Sequence, residues 1–368
     1  MMGKTSRIMT VLPPKEGFSP GCVGAIGLLV QCLAQPQDLI VGKALDCLPF
    51  VGLHYLEISK SWYSLFIQSN AYRCGVSRLV QKYRPCLVEI HNRPEIALYI
   101  AQKYPYIPVS LTLHNDPLSM RGLKKNIERH KIVEKLHVVA VSEWVKDRFL
   151  SGQVKGSVTI LPNYIDCKKL PQYIPIPERK KNILFVGRVV ADKGADIFVA
   201  LCCKLLQVDP SWNIEIIGAD RFKSNSPETP FIQKLRHQLR QTQIKMVGYL
   251  PYDQVLQKIS EASIVIMPSR WPEPFGMTAL EAMACGTPLL VSAVGALPKV
   301  VGNGALLMDP TNIEQAFQQL IRLVKNQDLR EQLSLYAKEQ AFRYNSEQAL
   351  QALNSFRKQI CPQLQGNL

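Results

Sequence analysis

With 368 residues, 47% of them apolar, and a mean hydropathy of −0.01, the chain is long enough for two domains that each bury a core. No apolar run approaches a membrane span, since the longest, Cys22–Ala34, is short and broken by Gln31. The formal charge of +15 leans to the first half, where residues 1–178 hold 22 Lys and Arg against 13 Asp and Glu, and no RNP motif, zinc-finger spacing or Arg-rich tail accompanies it, so no nucleic-acid partner is expected.

Met1–Arg7 shows no signal-peptide pattern and leads into Ile8–Leu12, an apolar run read as the first strand. The loop Gly17-Phe18-Ser19-Pro20-Gly21-Cys22-Val23-Gly24-Ala25-Ile26 follows. Its spacing from Gly21 to Gly27 is G-x-x-G-x-x-G, not the G-x-G-x-x-G dinucleotide fingerprint, and no acid convincingly ends the next strand. This argues against an NAD-dependent α/β oxidoreductase, the alternative enzyme class. Glycines here permit close backbone approach, and an ordinary helix-entry turn accounts for them equally well. Ile58–Pro85 then sets Trp62, Tyr63, Phe66, Tyr72 and Tyr83 beside Lys60, Arg73, Arg78, Lys82 and Arg84.

Leu87–His91, Val109–His114 and His137–Ser142 read as strands, alternating with helical patterns at Glu95–Tyr104 and Trp144–Leu150. Such alternation predicts an α/β domain whose parallel sheet is covered on both faces. His91, with Asn92 after it, and His114 end their strands where ligand loops gather. A lone strand-end His is more often structural than catalytic. For His91, acceptor contact and a packed turn are equally good readings. A second basic run holds Arg121, Lys124, Lys125, Arg129, Lys131 and Lys135. Basic and aromatic helices of this kind suit either an anionic bilayer surface or a packed core with solvated charges.

The Pro- and Lys-rich passage Pro162–Lys181 breaks the pattern and reads as a linker. Alternation restarts with strands at Asn182–Gly187, Trp212–Gly218, Ile244–Gly248, Ser263–Met267 and Pro288–Ser292, each ending near Gly, Ser or Pro. Directly after the first of these comes Gly187-Arg188-Val189-Val190-Ala191-Asp192-Lys193-Gly194. Arg188 and Lys193 are spaced to reach one point above the strand end, and two fixed cations near a helix start would neutralise a diphosphate without a divalent metal. After Ser263–Met267 a Pro-rich elbow carries Glu273, and Phe275-Gly276-Met277 opens a helical run that stops at Gly286. Glu281, separated from Glu273 by seven residues, lies roughly two turns further along. Carboxylates accept paired hydrogen bonds from a diol, while helix-start N–H groups favour phosphate, so the pair suits a nucleotide diphosphate sugar. The ten cysteines show no C-x-x-C spacing and read as reduced thiols of a cytoplasmic protein, with no metal or disulfide role. Ser346–Ile360 is amphipathic.

From Glu273-Pro274-Phe275-Gly276 through Glu281 to Cys285-Gly286-Thr287-Pro288, the chain resembles the E-x7-E segment of retaining glycosyltransferases of family 4, the glycosyl transferases group 1. The resemblance implies the GT-B fold, two Rossmann-like domains with parallel sheets facing across a cleft. It implies an acceptor-binding domain over residues 1–170, a nucleotide-sugar domain over 171–345, and a terminal helix, 346–368, crossing back to the first. Arg188 and Lys193 would bind the donor phosphates, Glu273 the transferred sugar and Glu281 the ribose. The backbone N–H groups of Phe275, Gly276 and Met277 would meet sugar hydroxyls and phosphate. Gly248 and Tyr249 match the turn that contacts the base, and Gly21 lies in the loop that closes over the diphosphate. His114 would stand near the transferred sugar, with His91 and Asn92 toward the acceptor. Ser142 and Asn163 match segments lining the cleft, although turn and helix-cap roles suit them better. One departure is Val294-Gly295-Ala296-Leu297-Pro298-Lys299, where the family carries paired glycines and Pro-Glu; this loop is left out of the expected site.

The implied activity is retaining and metal-independent transfer from a UDP-sugar, or second a GDP-sugar, to a saccharide or lipid-linked saccharide of the cell surface. No cofactor is expected beyond the nucleotide-sugar co-substrate. The basic first half favours a cytoplasmic protein held peripherally on the inner face of the plasma membrane, with a merely solvated basic surface an equally good reading, and a non-catalytic saccharide-binding protein is the remaining alternative.

Overall fold

The computed structural model describes residues 7–58, 68–220 and 228–364. Two compact units form, residues 1–163 with 346–368, and residues 164–345.

In the first unit β1 (Ile8–Val11) leads into a short hairpin of β2 (Phe18–Ser19) and β3 (Cys22–Val23), then α1 (Ala25–Leu33). There follow β4 (Leu39–Lys43), β5 (His54–Ile58), α2 (Gln68–Tyr83), β6 (Leu87–His91), α3 (Pro94–Lys103) and β7 (Val109–Leu113). The series continues through α4 (Asn126–Lys135), β8 (His137–Ala140), α5 (Glu143–Leu150) and β9 (Val158–Ile160). Apart from the antiparallel hairpin, the described strands form one sheet in the order β5-β4-β1-β6-β7-β8-β9, parallel throughout. Residues of β1 are buried on both faces, the burial that makes a central parallel strand read as a continuous apolar run. The apolar stretch Cys22–Ala34 is explained by α1, which buries Gly27, Leu29 and Leu33.

The second unit runs β10 (Lys180–Val186), α6 (Ala195–Val208), β11 (Asn213–Ile217), α7 (Pro230–Leu239), β12 (Ile244–Gly248), α8 (Tyr252–Glu261) and β13 (Ala262–Met267). It closes with α9 (Met277–Ala284), β14 (Leu289–Ser292), α10 (Leu297–Val301), β15 (Ala305–Met308), α11 (Ile313–Lys325) and α12 (Gln327–Phe342). Its described strands are again all parallel, in the order β12-β11-β10-β13-β14-β15. α6, α7 and α11 bury Phe198, Leu205, Leu235, Phe317 and Leu320 in one core with Ile183, Phe185 and Ile216 of the strands.

The last helix, α13 (Ser346–Ile360), belongs to the first unit. Its Arg357 is buried and forks onto Glu89 of β6 with bonds of 2.9 and 2.7 Å. Thr10 Oγ1 donates to the same carboxylate at 3.2 Å, so the charges are paired where water is excluded.

Two residues of the basic and aromatic stretches turn inward. Tyr72 is buried and its hydroxyl donates to Leu12 O at 2.8 Å. Arg129 is 1% exposed, its guanidinium donating to the carbonyls of Phe149, Leu123 and Ser151 at 2.7 to 2.8 Å. Neither is available to a lipid surface. Lys60, Trp62, Tyr63 and Phe66 lie outside the described residues. Among the described residues no helix is long and apolar enough to cross a membrane.

Candidate active site

In the second unit β10 is central, and chain order runs away from it in both directions, through β11 and β12 on one side and β13 to β15 on the other. The crevice outside the carboxyl ends of β10 and β13 is the switch point at which open α/β sheets bind ligands. Backbone crowding shapes this edge. Gly187 N donates to Ile217 O at 3.0 Å and Gly218 N to Gly248 O at 2.7 Å. A Cβ on Gly218 would stand 1.9 Å from Gly187 O, so only glycine lets these strand ends meet.

The β10 loop carries exposed Arg188, then a tight turn, Ala191–Lys193, before Gly194 at φ +70° opens α6. A Cβ on Gly194 would lie 1.9 Å from Pro268 O, which shows how closely this loop rides on the end of β13. The loop after β13 is tied to it. Arg270 N and Trp271 N both donate to Asp192 O, at 2.9 and 3.0 Å. The Arg270 guanidinium grips Asp196 with bonds of 2.7 and 2.8 Å and reaches Ala191 O at 2.9 Å. Burial pushes the Asp196 carboxyl up, but hydrogen bonds and charge from Arg270 outweigh it and hold the group below its ordinary value.

This stitching brings Lys193 and Glu273 together. Lys193 Nζ stands 2.6 Å from Glu273 Oε1, and Ser269 Oγ donates to the same oxygen at 2.6 Å. Glu273 is 4% exposed, and both donors meet the same oxygen, Oε1. The loop left out of the expected site supports this carboxylate. Ala296 N donates to Glu273 O at 2.7 Å, and Gly295, at φ +60°, leaves no room for a Cβ, which would fall 2.4 Å from that oxygen.

Gly276, at φ +97°, caps α9 without a side chain, so the first N–H groups of the helix are not capped by the residue preceding them. Phe275 is buried with its ring edge-on to Tyr344, centroids 5.4 Å apart, which anchors the entry to the helix. Met277 begins α9 and Glu281 follows on its buried side. Burial drives the Glu281 carboxyl up to about 7, against a hydrogen bond from Tyr252 that lowers it. Gly248, at φ +87°, ends β12, and Tyr249 beyond it is exposed at the sheet's edge. The structure thus joins Lys193 and Glu273, sets Arg188 on the same loop, and carries Gly248 and Tyr249 two strands away from β10.

The first unit has its own switch point between β1 and β6. His91 ends β6, and Asn92 takes φ +54°, buried, with its Oδ1 accepting from His114 N at 2.7 Å. His91 Nδ1 and His114 Nε2 are 2.8 Å apart, so one ring must present N–H to the lone pair of the other. Burial, then the charge of Arg357, lowers His91 to about 4. Burial and the neighbouring His91 ring hold His114 well below its ordinary value, with Asn163 offsetting part of this. Both rings are therefore neutral near pH 7. Ser142 is the N-cap of α5, accepting from Val145 N at 3.1 Å.

The glycine loop has a different occupant at its helix start. Glu16 Oε1 accepts from Gly27 N at 2.9 Å, and a Cβ on Gly24 would lie 2.4 Å from that oxygen. Gly24 and Gly27 thus make a seat for this chain's own carboxylate at the start of α1. Gly21, at φ +76°, turns the exposed tip of the β2–β3 hairpin. Sequence reasoning missed Glu16, Ser269, Arg270, Asp196 and Gly295. Ser269 and Arg270 lie in the elbow just ahead of Glu273, but nothing in their order announced which carboxylates they would meet.

Residues 167–340 match the model of glycosyl transferases group 1. The second unit is a group 1 glycosyl transferase domain. An uncharacterized glycosyltransferase of Methanocaldococcus jannaschii is 26% identical over 319 residues, 84% of this chain and 85% of its own. Sucrose-phosphate synthase from Thermosynechococcus elongatus superposes with a TM-score of 0.79 over 96% of this chain and 98% of its own, at 18% identity. HepE of Anabaena, solved in complex with UDP-glucose, gives 0.75 over 96% and 99%, at 16% identity. At those identities the two structures speak for the fold, which is GT-B. Among the described residues no group of three or more His, Cys, Asp or Glu is arranged to hold a metal ion.

Proposed function

We propose that the protein is a retaining, metal-independent glycosyltransferase that moves a sugar from a UDP-sugar, with a GDP-sugar as the second choice, to a hydroxyl of a saccharide or lipid-linked saccharide. The observation that carries this reading is the meeting of Lys193 and Glu273 at 2.6 Å over the β10–β13 switch point, inside a group 1 domain. A diphosphate laid there would take Lys193 and exposed Arg188 as its counter-charges, and the uncapped start of α9 would add N–H donors. The N–H groups of Phe275, Gly276 and Met277 would serve phosphate and sugar hydroxyls, and the other oxygen of Glu273 would accept from the sugar. Glu281 would accept from the ribose diol, with Gly248 and Tyr249 beside the base.

During transfer the bond from the anomeric carbon to the diphosphate oxygen breaks and a bond to the acceptor oxygen forms. The acceptor's proton passes to the departing diphosphate. Negative charge grows on that leaving group, where fixed cations are worth roughly 3–4 kcal/mol per lost donor in comparable sites. The hydrogen-bonded His91–His114 pair, neutral at pH 7, suits contact with uncharged sugar hydroxyls. Asn92, which holds the His114 backbone, would shape the acceptor end. Cell-surface saccharide synthesis at the inner face of the membrane is the setting that the basic first half favours.

The test is an assay of transfer and donor hydrolysis with Arg188→Ala, Lys193→Ala and Glu281→Ala. Each is expected to lose at least about tenfold in kcat/KM. Folded variants that keep wild-type rates would remove the site.

A further inference from the structure

Among the described residues the Arg270 and Asp196 side chains bond to each other and to Ala191 O rather than to the side chains assigned to the donor, yet they join the two loops that supply Lys193 and Glu273. Arg270 follows β13 and Asp196 sits in the first turn of α6. Their forked bonds of 2.7 and 2.8 Å are supplemented by Arg270 Nη1 on Ala191 O at 2.9 Å. The N–H groups of Arg270 and Trp271 close on Asp192 O from the same side. Every one of these bonds ends within three residues of Lys193. An exposed ion pair adds little to stability, and both partners here are partly exposed. What a planar two-point fork adds is orientation, since it fixes direction as well as distance.

We propose that the Arg270–Asp196 clasp is a positioning device for the diphosphate site. It sets the register of the Ala191–Lys193 turn against the Ser269–Glu273 loop, so that the flexible Lys193 stem arrives at the phosphates already aimed. The inference rests on the nucleotide-sugar reading above. Without the clasp the turn keeps its backbone bonds to Asp192 but loses the side-chain brace on the α6 side. A displacement of about 1 Å in such a site costs up to roughly 100-fold.

The experiment is a calorimetric comparison of UDP with UMP, or GDP with GMP if that base binds. It uses the wild-type chain, Asp196→Ala, Arg270→Ala, the double variant and Arg270→Lys. The ratio of diphosphate to monophosphate affinity is the readout, because general damage to the nucleotide site lowers both affinities together. Each single alanine variant is expected to lose roughly tenfold in this ratio at an unchanged melting temperature. The double variant should lose no more than Arg270→Ala alone, since the two groups act as one. Arg270→Lys, which keeps the charge but not the fork, should fall between wild type and Arg270→Ala. Unchanged ratios in the singles, equal losses for both ligands, or additive losses in the double variant would overturn the clasp. A wild-type chain that binds none of these nucleotides would instead remove the reading beneath it.

Discussion

Glu273 concentrates two donors on one oxygen, and that asymmetry gives the carboxylate a protein side and a ligand side. Ser269 contributes a 2.6 Å bond to a nearly fully buried acid, the kind of charged hydrogen bond worth about 1.5–3 kcal/mol. Ser269→Ala should lose that much in urea unfolding and Ser269→Thr should recover most of it; an alanine variant as stable as wild type would mean the bond is idle. Glu281 offers a second test through pH. Its folded value of about 7 lies above the 4.5 of an ordinary glutamate, so the native state holds the proton more tightly than the unfolded chain. Its burial therefore costs nothing below pH 4.5, costs progressively more as pH rises from 4.5 to about 7, and is fully felt above that. Glu281→Gln should match wild type at low pH and exceed it by on the order of 3 kcal/mol above neutrality, while binding nucleotide less well. Equal stability curves across pH would show that the acid is not desolvated.

At the scale of elements, what was readable followed burial only in part, since the buried strand β4 was missed and the half-exposed β12 was read. β13 and β14 stand out in sequence because central parallel strands are buried on both faces, whereas β12 was read although it is an edge strand with Lys245 and Val247 exposed. β4, β5, β9 and β15 were not foreseen. β9 has three residues and β15 four, while β5, at the edge of its sheet, exposes His54 and Glu57 without strand-period alternation, and short or mixed runs give little periodicity. The loop between β14 and α10 was set aside because it departs from the family pattern, yet its backbone carries Glu273. Shape rather than side-chain identity is what that loop supplies, and a single glycine encodes it. Gly295→Ala would force a Cβ to 2.4 Å from Glu273 O at φ +60°, so the variant should lose more than about 1 kcal/mol of stability, melt earlier and transfer sugar poorly. Unaltered melting and transfer would show that the loop does not hold the carboxylate.

At the scale of the whole molecule, strand–helix alternation was enough to anticipate two α/β units of Rossmann-like order. It could not reveal that residues 80 apart would share a hydrogen bond. Lys193 and Glu273 meet because β10 and β13 are neighbours across the reversal of strand order, a property of topology rather than of any local segment. In the first unit it is the consecutive strands β6 and β7 that pair, which sets their ends side by side and is why His91 and His114 share a bond that their separate motifs did not announce. The most direct measurement is a calorimetric titration of UDP-sugars and GDP-sugars into the wild-type chain and Lys193→Ala. Binding of one nucleotide sugar per chain, weakened about 100-fold in the variant, is the predicted result. A wild-type chain that binds no nucleotide sugar, or a folded variant that binds it equally well, would contradict the account.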